Sequence, residues 1–323
     1  MREERKKRGT MVNYLSSLDP SVLLRALPGN VAQGLIWGIM AVGVYITFRV
    51  LDFADLTVDG SLATGGAVAV MLIKGGMNPA LALVFAFLAG ALAGLATGLL
   101  HTLLGIPGIL SSILTQISLY SINLRILGKA NQSIGLGQKN LVASLRYVTA
   151  NDNGLFFLKL IAICLVLVAL VYYFFGTELG SAIRATGCNE RMARAQGINT
   201  NVMKVAALMI SNGLVGLCGG LFSQYQGAAD VNQGRGAIVI GLAAVIISEV
   251  AFGKLCAKRK LAFAWTLIAV FAGAIFYYIA YQLVLWLKMP SDYMKLFSAI
   301  VVACFLSVPY LKDKYLQKRR AAK

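Results

Sequence analysis

Charge is what this sequence has least of. Only 13% of its residues are Asp, Glu, Lys or Arg, about half the share that a soluble domain carries. With hydrophobic residues at 58% of 323, the chain leaves no stretch for a soluble catalytic domain. Histidine is nearly absent as well, and the single His101 makes a His-based metal centre implausible. The five cysteines (Cys164, Cys188, Cys218, Cys256 and Cys304) are scattered and form no CxxC pair. They read as small packing residues, which excludes a disulfide framework or a zinc site. No G-x-x-x-x-G-K-[ST] phosphate loop occurs, so the chain does not hydrolyse ATP by the P-loop route. Acidic residues number 13 against 30 Lys and Arg, a formal charge of +17. The basic residues sit in loops and tails beside apolar runs, where positive-inside bias accounts for them without nucleic acid.

What is present is a series of apolar runs, with a mean hydropathy of +0.74. They make about nine spans of ~20 residues each, an all-α polytopic membrane protein. The first covers Val31–Val50, the third Pro79–Leu100 and the sixth Val202–Phe222. The last two are LAFAWTLIAVFAGAIFYYIAYQLVLWL and LFSAIVVACFLSVPYL. Residues 1–30 form a basic tail in which Val22, Leu23, Leu24 and Leu27 suggest one face of an interfacial helix. The transmembrane body would then occupy 31–312, and a basic cytoplasmic tail 313–323. Gly90, Gly94 and Gly98 recur every four residues, as do Gly216 and Gly220, so helices can approach closely there.

A polar, basic island, Glu178–Thr200, interrupts two long spans. Arg184, Arg191 and Arg194 outweigh Glu178 and Glu190, which puts the island in the cytoplasm. Ile183, Met192 and Ala195 offer a modest apolar face, so the island is either a surface helix made for a soluble partner or a solvated loop.

The second informative stretch is LDFADLTVDGS, with Asp52, Asp55 and Asp59 almost inside hydrocarbon. Such carboxylates cost a few kcal/mol each unless paired. Arg49 is the local partner for Asp52. Asp59 before Gly60 and Ser61 fits an N-cap of its own helix, or else a pathway or gating residue. Farther on, Ser112, Gln116 and Asn123 can share a helix face, for hydrogen bonding between helices or for lining a path. Residues 128–154 and the connection holding Asp230 and Arg235 are expected outside the cell. Glu249 closes the seventh span, with Lys254 one turn away.

The run RATGCNERMARAQGINTNVMKVAALMISNGLVGLCGGL resembles the coupling segment of ABC importer permeases of the branched-chain amino acid and ribose type. Arg184, Ala185, Glu190, Ala193, Gly197 and Ile198 occupy that family's characteristic places, with Met192 among them. LDFADLTVDGS is similar to a subfamily associated with uptake of amino acids, tryptophan and other aromatic ones foremost. That subfamily has Gly where this chain has Ser248, before Glu249. The resemblance implies a type II-like fold with a cytoplasmic coupling helix, in the bacterial cytoplasmic membrane. It also implies an extracytoplasmic binding protein and separate ATPase subunits that hold ATP and Mg, and the lack of internal duplication points to a homodimer. No cofactor is expected on this chain. Path or gate candidates are Asp55, Asp59, Ser61, Ser112, Gln116 and Glu249. Two other classes stand beside this one. An ion-coupled secondary transporter would use the same carboxylates. A membrane-embedded enzyme would need a catalytic constellation that the dispersed residues do not form.

Counting back from the cytoplasmic island places the N-terminus outside and the LDFADLTVDG break near the cytoplasmic face. MREERKKR opposes that placement, because a basic run resists translocation. A start at Met11 would remove the conflict.

Overall fold

The computed structural model describes residues 20–135, 141–142, 153–257 and 261–286, with positions 296, 299, 300, 303, 304 and 307. The N-terminal basic run, the C-terminal tail and most of the expected last span lie outside these residues.

Helix α1 (Pro20–Tyr45) ends in a π turn, Ile46–Val50, and the chain then breaks at 51–56. Helices α2 (Thr57–Lys74), α3 (Pro79–Thr102) and α4 (Gly108–Leu127) follow. Strand β1 (Asn131–Ser133) precedes α5 (Asn153–Gly176), and two short helices come next, α6 (Glu178–Cys188) and α7 (Glu190–Ala195). The long α8 (Thr200–Gln226), strand β2 (Ala228–Asp230), α9 (Ala237–Ala257) and α10 (Ala262–Trp286) complete the described order. Among the described residues, five helices are long and apolar enough to cross a membrane: α1, α3, α5, α8 and α10. The apolar part of α9 is shorter.

Helix α8 is the axis of the bundle and packs on α1, α2 and α3, while α10 packs on α1 and α9. Glycine is the reason that α3 lies so close to it. A Cβ at Gly90 or Gly94 would strike the backbone carbonyl of Asn212 or Leu208, and one at Gly98 would meet Val205 at 3.0 Å. The four-residue stripe therefore serves the close packing that its spacing predicts. Ser248 stands where the resemblance leads one to expect glycine, yet α9 and α10 still touch closely. Gly273 on α10 supplies the missing clearance, facing the Ala244 carbonyl.

The outer surface is apolar. Only 28% of the most apolar stretch of α5 is buried, and Leu158, Leu165, Val166, Leu170 and Tyr173 face outward. A contiguous face of this kind has hydrocarbon as its solvent.

Two features were not legible in the pattern of apolar runs. Helix α1 runs unbroken from Pro20, so residues 20–30 share one helix with the first span. Strands β1 and β2 pair antiparallel, Asn131 opposite Asp230, and tie the two outer connections together.

Candidate functional site

The polar island folds as two short helices joined by a capped corner. Thr177 accepts from the Gly180 N–H at 3.4 Å to start α6, and Asn189 accepts from Met192 at 3.1 Å to start α7. Asn199 does the same for α8 through Val202, at 3.3 Å. Each cap is a short polar side chain satisfying an orphan N–H. Gly197, at φ +83°, makes the turn into α8, a conformation open to glycine at little cost.

Glu190 is the clip of this corner. It accepts from Arg194 at 2.6 Å, from Lys204 at 2.8 Å and from Thr200 Oγ1 at 3.2 Å. Lys204 foremost, and then the nearby charge of Arg194, hold its carboxyl below the usual range. A depressed folded-state value stabilises the corner above the unfolded carboxylate pKa of ~4.3, and the contribution disappears as pH falls through the folded value. The carboxylate is partly exposed, so the clip contributes about 0.2–1 kcal/mol. Amides of residues 190–204 are therefore expected to exchange more slowly in the wild type than in Glu190→Gln at pH 6. At pH 3 the two proteins should be alike. Equal protection at both values would remove the clip.

The island's apolar residues divide between two sides. Ile183 is fully buried and Ala193 nearly so, whereas Met192 is 63% exposed and Ala195 is exposed. The expected single face of Ile183, Met192 and Ala195 therefore does not exist, because the corner at Asn189 turns α7 relative to α6. Ile198 is half-buried against the core. Arg184 donates to the Phe175 carbonyl at 2.7 Å and lies over the Phe263 ring, which ties α6 to α5 and α10.

The inner side of the island meets the broken helix. A Cβ on Gly187 would collide with the Val50 carbonyl oxygen and meet the Leu51 Cα at 3.0 Å. The island and the LDFADLTVDG break are thus on the same side of the bundle, as the count of spans predicts.

From that contact the break climbs inward. Asp55 is 3% exposed. It accepts from Thr57 N–H at 2.9 Å and from Asn212 Nδ2 at 2.6 Å. Ser61 donates to Asn212 Oδ1 at 2.6 Å, and Thr57 pairs with Thr97 at 2.7 Å. Asn212 lies twelve residues into α8, about 18 Å along it at 1.5 Å per residue. Helix α2 therefore begins inside the bundle and not at its edge.

Asp59 caps a helix, but not its own. Its two oxygens accept from the Gly236 and Ile238 N–H groups, both at 2.9 Å, at the start of α9. Helix α2 starts at Thr57 with Leu56 at its N-cap and no side-chain cap, and Asp59 already lies in its first turn; Asp55, just before it, takes the Thr57 N–H. Two ion pairs also differ from the local reading. Arg49 makes a bidentate pair with Glu249, not with Asp52. Asp52 adopts a left-handed φ of 56° at the break. Glu249 is 31% exposed rather than buried, and it joins the π turn of α1 to α9.

Ser112 donates to its own helix, to Ile109 O at 2.8 Å. Gln116 and Asn123 line a cavity of about 320 Å³ with Asp59, Tyr120 and Arg235. Asn212, Thr97 and Trp37 were missed from sequence. An asparagine in the middle of an apolar span was the available signal for the first.

The chain matches the model of branched-chain amino acid transport system permease components over residues 29–306. It is 38% identical to a tyrosine transport system permease protein of Clostridioides difficile, over 85% of this chain and 88% of that one. An uncharacterized protein of Rickettsia prowazekii is 33% identical, over 92% of this chain and all of its own length. A probable branched-chain amino acid transport permease of Methanocaldococcus jannaschii is 30% identical over 60% of this chain and 64% of that one.

Proposed function

The chain belongs to the branched-chain amino acid transport permease family, as a multi-pass protein of the cytoplasmic membrane, and from that premise we propose that it is the membrane subunit of an ATP-driven importer. Two copies would enclose the path, receive an amino acid from an extracytoplasmic binding protein, and stand on two ATPase subunits. The tyrosine transport of the Clostridioides relative supports an aromatic amino acid as cargo.

The observation that carries this reading is the two-sided island. Arg191, Met192 and Ala195 face outward, which suits the groove of a soluble partner. Gly187 faces inward on Val50 and Leu51. A push on α7 would therefore pass through α6 into the break, and on to the Asp55–Asn212–Ser61 network at the start of α2. Arg184, Glu190, Ala193, Gly197 and Ile198 hold the island in shape, and Met192 is its exposed apolar contact.

Of the carboxylates that an ion-coupled transporter would use, Asp52, Asp55, Asp59 and Glu249, the last three carry structural bonds. Asp55 binds Asn212, Asp59 caps α9, and Glu249 pairs with Arg49. This supports the ATP-driven reading over its rival.

Purification of the tagged protein from its native host in mild detergent tests it. An ATPase with a phosphate-binding loop is expected to accompany the wild type. It should be lost from Glu190→Arg, which unclips α7, and from Gly197→Trp, which is strained at positive φ. A chain that purifies alone in several detergents, with uptake abolished by collapse of the proton gradient at high ATP, would overturn the proposal.

A further inference from the structure

Among the described residues only three buried side-chain polar atoms lack a hydrogen-bond partner: Trp37 Nε1 and both amide atoms of Asn123. Buried polar groups are almost always paired, so three orphans need an explanation. Both residues line cavities. Asn123 borders the 320 Å³ cavity between α2, α4 and the turn before α9. Trp37 borders a second cavity, of about 620 Å³, among α1, α8, α9 and α10.

The two cavities differ in chemistry and share one residue. The second is walled by aromatic rings, Trp37, Phe222, Tyr277, Tyr278 and Tyr281. Trp37 meets Phe222 edge-on at 5.3 Å and Tyr278 at 5.9 Å, so the rings form one wall. The first is polar, with Gln116, Tyr120, Ser121, Asn123 and Asp59. Arg235 lines both. Its side chain makes no ion pair among the described residues, even though Asp59 lines the same cavity. Asp59 is committed to α9 through Gly236, the neighbour of Arg235.

We propose that these paired cavities are a binding site for a zwitterionic aromatic amino acid, with Arg235 as its carboxylate anchor. The inference rests on the permease reading and names the cargo's place within it. Arg235 offers a guanidinium fork that suits a carboxylate. Asn123 offers an acceptor for the ammonium, with Asp59 as the neighbouring negative charge. The apolar side chain enters the aromatic cavity, where edge and face contacts favour a planar ring. A hydroxyl or other acceptor on that ring would take the Trp37 N–H. An aliphatic amino acid would satisfy Arg235 and Asn123 but leave the aromatic wall and Trp37 without a matching partner. Pentoses lack the carboxylate altogether.

The test is equilibrium binding of tritiated L-tyrosine to the full-length protein in lipid nanodiscs, with unlabelled competitors. L-phenylalanine should compete, and L-leucine and D-ribose should compete at least about tenfold less well. Arg235→Gln is expected to weaken binding about tenfold or more, while Arg235→Lys, which keeps the charge but not the fork, falls between Gln and the wild type. Trp37→Phe keeps the ring and removes the N–H, so it should weaken L-tyrosine more than L-phenylalanine. Thermal unfolding of each variant separates lost binding from lost folding. Unchanged binding in a folded Arg235→Gln, equal competition by L-leucine, or no saturable binding up to about 10 mM would each overturn the site. Co-purification of the ATPase is scored on the same preparations. Its loss strikes the importer reading, whereas a failed binding assay with the ATPase present strikes only the site.

Discussion

Asn212→Leu is expected to abolish most of the folded protein in the membrane. Leucine is close in size, so the loss comes from chemistry and not from volume. Asn212 Nδ2 donates to Asp55 at 2.6 Å and to the Leu208 carbonyl at 3.1 Å, and its oxygen accepts from Ser61 at 2.6 Å. Asn212 and Ser61 are fully buried and Asp55 is 3% exposed. Leucine at this position leaves a buried carboxylate with only the Thr57 group as donor, and leaves the Ser61 hydroxyl without its acceptor. Each buried polar group left unsatisfied costs about 1–3 kcal/mol, and two are left here. That is a large part of the 5–15 kcal/mol by which folds are typically stable. Size-exclusion profiles of detergent extracts should show most of the monodisperse peak gone. Asp55→Ala in the same chain should restore more than half of it, because the unsatisfied carboxyl group is then absent. A folded Asn212→Leu protein with unchanged thermal stability would show that Asp55 finds another donor.

Gly187→Leu is expected to separate ATP hydrolysis from transport. Any Cβ here collides with the Val50 carbonyl, so α6 must stand off from the break. The outward face of α7, with Met192 63% exposed, is untouched, and the ATPase should still bind and turn over. In proteoliposomes carrying the ATPase and the binding protein, uptake should fall about tenfold or more per ATP hydrolysed, a change of ~1.4 kcal/mol in coupling. Gly187→Ala should lie between the two. Wild-type uptake in Gly187→Leu would mean that motion enters the membrane elsewhere.

Asp59 shows where local reading ends. Its sequence context, an acidic residue before Gly60 and Ser61, identifies a helix cap, and a cap it is. Which helix it caps depends on α9 arriving beside it from 177 residues away in the chain. The same holds for Arg49 and Glu249, separated by 200 residues. Along the chain each has only a near neighbour, Asp52 or Lys254, because proximity within about five residues is all that a sequence displays. The island behaves similarly: its polar caps and its basic character are local, but the corner that parts Ile183 from Met192 is a matter of packing.

The sequence by itself determined the solvent and the building blocks. Scarce charge and apolar runs of ~20 residues place the chain in a bilayer as helices, which satisfy their own backbone there. Glycines at four-residue spacing on α3 determined that a neighbour would press close, since no side chain stands in the way. Only the tertiary structure decided who the neighbours are. It brought Asn212 to Asp55, Asp59 to the start of α9, and Gly187 to Val50. It also set Arg235 between a polar cavity and an aromatic one. The physical reason is range: helix periodicity, capping and hydropathy act over a few residues. Pairing of buried polar groups acts through space, between segments whose order along the chain carries no record of the contact.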